Sequence, residues 1–164
     1  MIHIYFGDGK GKTTAAIGLG VRAAGDGWKV CMVQFLKTSP TGELDGLQSL
    51  PGFSVHRFEH PHGFLQTMTS EEKQQLTQDM EAAVSFAEQV HCDMLILDEV
   101  LDAVALGLVQ EERLLTLCRD KQEVILTGHS LPEKTAAEAD YITEMKKHRH
   151  PFDRGVMARK GVEY

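Results

Sequence analysis

Gly7-Asp8-Gly9-Lys10-Gly11-Lys12-Thr13-Thr14 stands between the apolar run Ile2-His3-Ile4-Tyr5-Phe6 and the helical pattern Ala15-Ala16-Ile17-Gly18-Leu19-Gly20. A strand, a glycine-rich turn and a helix start are therefore contiguous. Glycines let successive backbone N–H groups converge on one point, the helix N-terminus adds partial positive charge, and Lys12 supplies a mobile cation. The pattern predicts a polyphosphate site formed by Gly7, Asp8, Gly9, Lys10, Gly11, Lys12, Thr13 and Thr14. Thr13 also places a hydroxyl where a phosphate-bound Mg²⁺ would need an oxygen ligand.

The loop is one residue short. The usual pattern is G-x-x-x-x-G-K-[ST], but Gly7 and Gly11 enclose only Asp8, Gly9 and Lys10, and Phe6 fills the regular glycine position. A shorter cradle should hold phosphates in a shifted position, so nucleotide binding is expected and the ordinary placement of the terminal phosphate is not.

The chain has 164 residues, enough for one domain with a core that needs no disulfide or structural metal. Its formal charge of −7 argues against nucleic acid as a partner. Cys31, Cys92 and Cys118 form no C-x-x-C pair and leave an odd count, as expected of reduced, buried thiols in a cytoplasmic protein. No run approaches the roughly 20 apolar residues of a membrane span. Composition thus predicts a soluble protein that uses neither membrane nor nucleic acid.

Strand-like runs recur at Ile2–Phe6, Lys29–Phe35, Phe53–Phe58, Met94–Leu97, Glu123–Thr127 and Tyr141–Glu144, with helical patterns between most of them. The alternation predicts a P-loop NTPase-like α/β fold over residues 1–164, a mostly parallel central sheet of about six strands flanked by helices. Between Met68 and His91, Thr69 and Glu72 form a capping box, and Leu76, Met80, Ala83, Val84, Ala87 and Val90 recur at helical spacing. The stretches Lys37–Pro51 and His60–Thr67 read as irregular loops after strand ends, where open α/β sheets bind ligands.

Met94-Leu95-Ile96-Leu97 is a continuous apolar run, as expected of a strand buried on both faces, and it ends in Asp98-Glu99. This Walker B-like pattern predicts a metal site shared by Thr13, Asp98 and Glu99. His56, His60 and His62 read as ordinary loop histidines, since no cysteine or acid completes a ligand set.

The combination resembles the P-loop type of ATP:corrinoid adenosyltransferases, almost from end to end. The matching pieces are the short loop with Thr13-Thr14 and Arg22, Gln34-Phe35-x-Lys37 with Gly42-Glu43, Leu97-Asp98-Glu99, Thr127-Gly128, Ala139-Asp140, Thr143-Glu144-Met145, His150-Pro151-Phe152 and Ala158-Arg159-Lys160-Gly161-Val162-Glu163-Tyr164. The resemblance implies transfer of the 5′-deoxyadenosyl group of ATP to a Co(I) corrinoid with release of triphosphate. It implies ATP as co-substrate, Mg²⁺, a flavoprotein or other Co(II) reductant and a homodimer. It gives Lys12 and Phe64 catalytic roles, Lys12 on the leaving triphosphate and Phe64 as the aromatic that shields the lower face of cobalt. Arg22 would contact the nucleotide. Gln66 stands where many relatives carry tryptophan, and His129 where many carry an arginine.

Two other readings of the same residues stay open at this level. One is an ordinary P-loop NTPase or phosphotransferase, which the loop and Asp98-Glu99 would also serve. The other is a noncatalytic carrier of nucleotide or corrinoid.

Overall fold

Each of the six apolar runs forms a strand in the computed structural model, which describes residues 1–39, 41–60 and 67–163. They are β1 (Ile2–Phe6), β2 (Val30–Gln34), β3 (Phe53–Arg57), β4 (Met94–Asp98), β5 (Glu123–Gly128) and β6 (Tyr141–Glu144). They join in one sheet of order β3-β2-β4-β5-β1-β6. Every pairing is parallel. The sheet is thus wholly rather than mostly parallel, because a helix in each connection carries the chain back to the same edge.

Those helices are α1 (Lys12–Gly25), α2 (Gly42–Gln48), α3 (Ser70–Gln89), α4 (Val100–Ala105), α5 (Glu111–Arg119) and α6 (Glu133–Glu138). They cover both faces of the sheet. Alternate residues of β4 point to opposite faces, so Ile96 meets Met32, Ile125 and the α1 alanines Ala16 and Ala23, whereas Leu95 and Leu97 meet Val33, Val124, Leu126 and the α3 residues Leu76, Met80 and Ala83. Burial on both sides is why β4 reads as an unbroken apolar run.

The α3 capping box forms as expected: Thr69 Oγ1 accepts from Glu72 N at 3.2 Å and Thr69 N donates to Glu72 Oε2 at 2.8 Å. The stretch after β2 departs from the expectation of an irregular loop, because α2 forms within it. Gly42 and Gly46 read as breakers, but Glu43 and Asp45 favour the first turn and Leu47 is buried against the sheet. Packing of one leucine and the helix-end charges outweigh the propensity of two glycines.

The phosphate loop is positioned by how closely α1 lies on the sheet. A Cβ at Gly20 would fall 2.6 Å from the Phe53 ring and 2.9 Å from Ile96 Cδ1, while one at Gly18 would meet nothing within 4 Å. Only Gly20 is there for close approach. Gly18→Ala should therefore stabilise the protein by about 0.5–1 kcal/mol through helix propensity. Gly20→Ala should destabilise it by about 1–3 kcal/mol, overpacking outweighing the same gain. Urea unfolding of the two variants checks the opposite signs.

Candidate functional site

Parallel register brings four side chains into one row at the carboxyl end of the sheet. Gln34 pairs with Arg57 on one side and Asp98 on the other, and the pairing of Leu97 with Leu126 sets Thr127 next to Asp98. Asp98 is fully buried. Its Oδ1 accepts from Thr13 Oγ1 at 2.9 Å and Thr127 Oγ1 at 2.7 Å, and its Oδ2 accepts from Gln34 Nε2 at 3.2 Å and Lys37 Nζ at 2.6 Å. Each oxygen thus has two donors, which is what a buried carboxylate requires.

The row continues outward. Gln34 Oε1 accepts from Arg57 Nε at 2.7 Å, and the same guanidinium donates to Ser39 O at 2.6 Å and Thr41 Oγ1 at 2.7 Å. Arg57 therefore ties the end of β3 to the loop before α2. Thr127 accepts from Glu99 N at 2.8 Å, fixing the turn that follows Asp98. Two residues at this edge have left-handed backbone without being glycine, Leu36 at φ 54° and Glu99 at φ 62°. Such conformations cost about 1–3 kcal/mol each and persist where the surroundings over-determine them. Leu36 turns the chain so that Lys37 reaches back to Asp98, and Glu99 turns it into α4.

The phosphate loop is anchored from a direction that spacing alone does not reveal. Gly9 N donates to Met145 O at 2.6 Å, Met145 N donates to Phe6 O at 2.7 Å, and Lys147 N donates to Asp8 Oδ1 at 2.9 Å. A Cβ at Gly7 or Gly9 would sit 2.6 or 2.5 Å from the Met145 carbonyl oxygen. These two glycines therefore make room for the segment after β6. The Lys147 amide holds the Asp8 carboxylate below its ordinary range.

Lys12 Nζ curls back over the loop, donating to Gly7 O at 2.7 Å and Gly9 O at 3.0 Å. Partial burial lowers its pKa, against the pull of Asp102, Glu99, Asp8 and Asp98. Because α1 begins at Lys12, the amides of its first turn are free of helical partners, as at any helix N-terminus.

The loop thus faces the end of β4. Lys37 Nζ lies 3.5 Å from Glu99 Oε1 and 3.3 Å from Thr13 Oγ1. Burial pulls its pKa down, but Asp98 and Glu99 outweigh that and leave it above its ordinary value. Glu99 is different. Desolvation raises its carboxyl to about 7, with Asp98 and Asp102 adding to the rise and Lys37 opposing it. A cleft of about 600 Å³ opens here, lined by Thr13, Thr14, Ile17, Lys37, Glu43 and Glu99 and walled by Gly161–Glu163. Lys10 Nζ donates to Val162 O at 2.7 Å, fastening that carboxyl-terminal wall to the phosphate loop.

The family model for ATP:corrinoid adenosyltransferase BtuR/CobO/CobP matches residues 1–164. The chain belongs to this family. A corrinoid adenosyltransferase of Pseudomonas aeruginosa is 33% identical over 172 aligned residues, covering 100% of this chain and 83% of its own length. Those of Escherichia coli K12 and Salmonella typhimurium are each 32% identical over 179 aligned residues, covering 100% of this chain and 85% of theirs.

Of the residues that family resemblance singles out, the fold brings together Gly7–Thr14, Asp98 and Glu99, and leaves Arg22 apart. Arg22 lies in the last turn of α1, ten residues and roughly 15 Å along the axis from Lys12. It lines a separate cleft of about 560 Å³ with His3, Trp28 and Tyr141 at the amino-terminal ends of the strands. Arg22 thus stands apart from the loop and from the end of β4. Phe64, Gln66 and His62 lie outside the described residues. His129 follows β5, where its carbonyl accepts from Gly7 N at 3.2 Å and its Nδ1 is 3.0 Å from Asp102 Oδ2.

Asp98, Gln34, Lys37 and Met145 were recognisable as motif pieces, but the tie from Arg57 and the bond of Lys147 N to Asp8 carry no local signal. Among the described residues no group of three or more His, Cys, Asp and Glu is placed to hold a metal. The donors present are all oxygens, from Thr13, Asp98 and Glu99. That set suits Mg²⁺, which commonly takes one or two carboxylates and completes its shell with phosphates and water.

The crowded Glu99 has a consequence for stability. Its raised carboxyl takes up a proton more readily in the folded than in the unfolded chain, so for this group stability falls as pH rises from about 4.5 to about 7. Glu99→Gln should be more stable than the parent at pH 8 by about 1–2 kcal/mol, a figure discounted for partial exposure. The gap should close as pH falls through about 7. Melting temperatures of both proteins between pH 5 and pH 8, without nucleotide, check the sign.

Proposed function

We propose that this protein transfers the 5′-deoxyadenosyl group of ATP to the Co(I) centre of a corrinoid, forming the cobalt–carbon bond and releasing triphosphate. The observation that carries the reading is the shortened loop set against the end of β4, in a chain whose family model runs over residues 1–164. The first-turn amides of α1, with Lys12 beside them, form a cation-rich end suited to a polyphosphate that leaves as a unit.

In the step itself the Co(I) lone pair attacks the ribose 5′-carbon, the C5′–O bond breaks, and its electron pair departs with the triphosphate. Co(I) supplies the nucleophile, so the protein needs no nucleophilic side chain and no general base. Burial holds its thiols protonated, pushing Cys31 up to about 11, Cys118 up to about 12 and Cys92 above its ordinary value. The protein's work is to position the carbon and to stabilise charge on the leaving group. Lys12 would exchange its bonds to Gly7 O and Gly9 O for phosphate oxygens, a short move because the ammonium already lies over the loop. Thr13, Asp98 and Glu99 would hold a Mg²⁺, which supplies further positive charge toward the triphosphate.

Gly9 N and Asp8 are committed to the Met145–Lys147 segment, so the nucleotide donors nearest to hand are the amides of Gly11–Thr14 and the Lys12 ammonium. By family resemblance Phe64 shields the lower cobalt face. A flavoprotein or other donor would reduce Co(II), and the enzyme would act as a cytoplasmic homodimer. Among the described residues no helix is long and apolar enough to cross a membrane.

The phosphate product tests the reading. With ATP, a chemically reduced corrinoid and Mg²⁺, triphosphate should accumulate in step with the cobalt–carbon bond. Orthophosphate or a phosphorylated acceptor would mean phosphotransfer, and no turnover would mean a carrier. Lys12→Ala should lower adenosylation by about 10²–10³-fold, the usual loss on deleting a preorganised electrostatic contact, with the fold retained. Phe64→Ala should leave ATP affinity nearly unchanged and reduce corrinoid turnover, most when Co(II) must be reduced in the site, as read from the four-coordinate cob(II)alamin signal with ATP bound.

A further inference from the structure

Lys37 stands in no phosphate-binding motif, yet its ammonium lies at the centre of the acidic site. It is 2.6 Å from Asp98 Oδ2, 3.5 Å from Glu99 Oε1 and 3.3 Å from Thr13 Oγ1. These three side chains are the ones that would hold Mg²⁺. The Lys37 side chain is only 17% exposed. Its approach is built into the backbone, because Leu36 adopts left-handed φ of 54° immediately before it.

The charges explain why a cation belongs there. Asp98 and Glu99 are adjacent, Asp102 adds to the field on Glu99, and Lys37 opposes both. The ammonium groups of the neighbouring loop are engaged elsewhere, Lys12 on Gly7 O and Gly9 O and Lys10 on Val162 O. A tethered ammonium and a divalent ion answer this need differently. Lysine brings one charge at high local concentration and three donors. Mg²⁺ brings two charges but surrenders its waters reluctantly and needs oxygens to replace them. Three protein side chains are few for that exchange. Polyphosphate oxygens change the balance, since they complete the metal's shell and offer the displaced ammonium a new anionic partner.

We propose that Lys37 is an exchangeable counter-cation: it closes the space between Thr13, Asp98 and Glu99 to divalent ions until the metal arrives with a polyphosphate, and then transfers its ammonium to that polyphosphate. The inference rests on the metal–nucleotide reading of the same site. It makes metal and nucleotide binding mutually dependent, and assigns Lys37 a positioning role that the loop motif does not contain.

Mn²⁺ is the probe: without nucleotide it is counted by the electron paramagnetic resonance signal of the free ion, and with ATP, which chelates the ion itself, protein-bound Mn²⁺ and ATP are counted together by equilibrium dialysis. Without nucleotide, Lys37→Met should bind Mn²⁺ about tenfold or more tightly than the parent, the scale expected for removing one like charge from a partly screened site. Mn²⁺ alone should also raise the melting temperature of Lys37→Met more than that of the parent. Adding Glu99→Gln to Lys37→Met should abolish the gain, and a gain that survives would mean binding elsewhere and overturn the proposal. With ATP present, the methionine variant should bind the Mn²⁺–ATP pair more weakly than the parent. A folded Lys37→Met whose nucleotide-free Mn²⁺ affinity stays within about twofold of the parent, while Mn²⁺–ATP still binds, overturns the counter-cation role and leaves the nucleotide site standing. If the parent binds no Mn²⁺ even with ATP, the metal–nucleotide reading fails and this inference falls with it. Lys37→Gln, whose amide can still donate to Asp98, carries the same measurements if the methionine variant does not fold.

Discussion

The buried carboxylate of Asp98 is the constraint on which the site depends. A charge with no exposed surface must be matched on every side, and the four donors that match it come from α1, β2, the loop after β2 and β5. The glycine-rich loop is held beside the sheet because Thr13, in the first turn of α1, is bonded to the end of β4. The loop after β2 is held by the same carboxylate through Lys37, and a second time by Arg57 through Ser39 and Thr41. Binding geometry here follows from the need to satisfy one acid.

Around that acid the protein accumulates charge and strain that do not serve stability. Glu99 is crowded by Asp98 and Asp102 and has its carboxyl raised to about 7, and both Leu36 and Glu99 carry left-handed backbone. Such features persist when the rest of the fold over-determines them, here a wholly parallel sheet buried on both faces. The cost is consistent with a site shaped to receive cations and phosphate together.

The glycines of the loop show how one residue type can answer two demands. Gly11, at φ 109°, turns the chain into α1, and no side chain could pass there without strain. Gly7 and Gly9 instead admit the Met145 carbonyl, so β6 and the segment after it hold the loop from behind. A motif that reads as a ligand cradle is also a packing surface for a segment about 135 residues later in the chain.

Much of the fold was legible locally. The six strand runs, the cap at Thr69 and Glu72, the placing of Lys12 at the start of a helix and that of Asp98-Glu99 at a strand end all follow from periodicity and turn chemistry, which act over a few residues. Helix α2 was not legible, because Gly42 and Gly46 argue against it locally, and the first-turn acids Glu43 and Asp45 outweigh them only together with the burial of Leu47 in the fold. The sequence by itself determined the α/β class and the family, and singled out the loop and the acidic strand end as the candidate site. Strand order, and with it the row Arg57–Gln34–Asp98–Thr127, was decided by tertiary structure alone, as were the bonding of Lys37 to Asp98 and the distance of Arg22 from the loop. The physical reason is range: propensity and motif spacing act along the chain, whereas satisfaction of a buried charge is settled by whichever donors parallel pairing brings beside it.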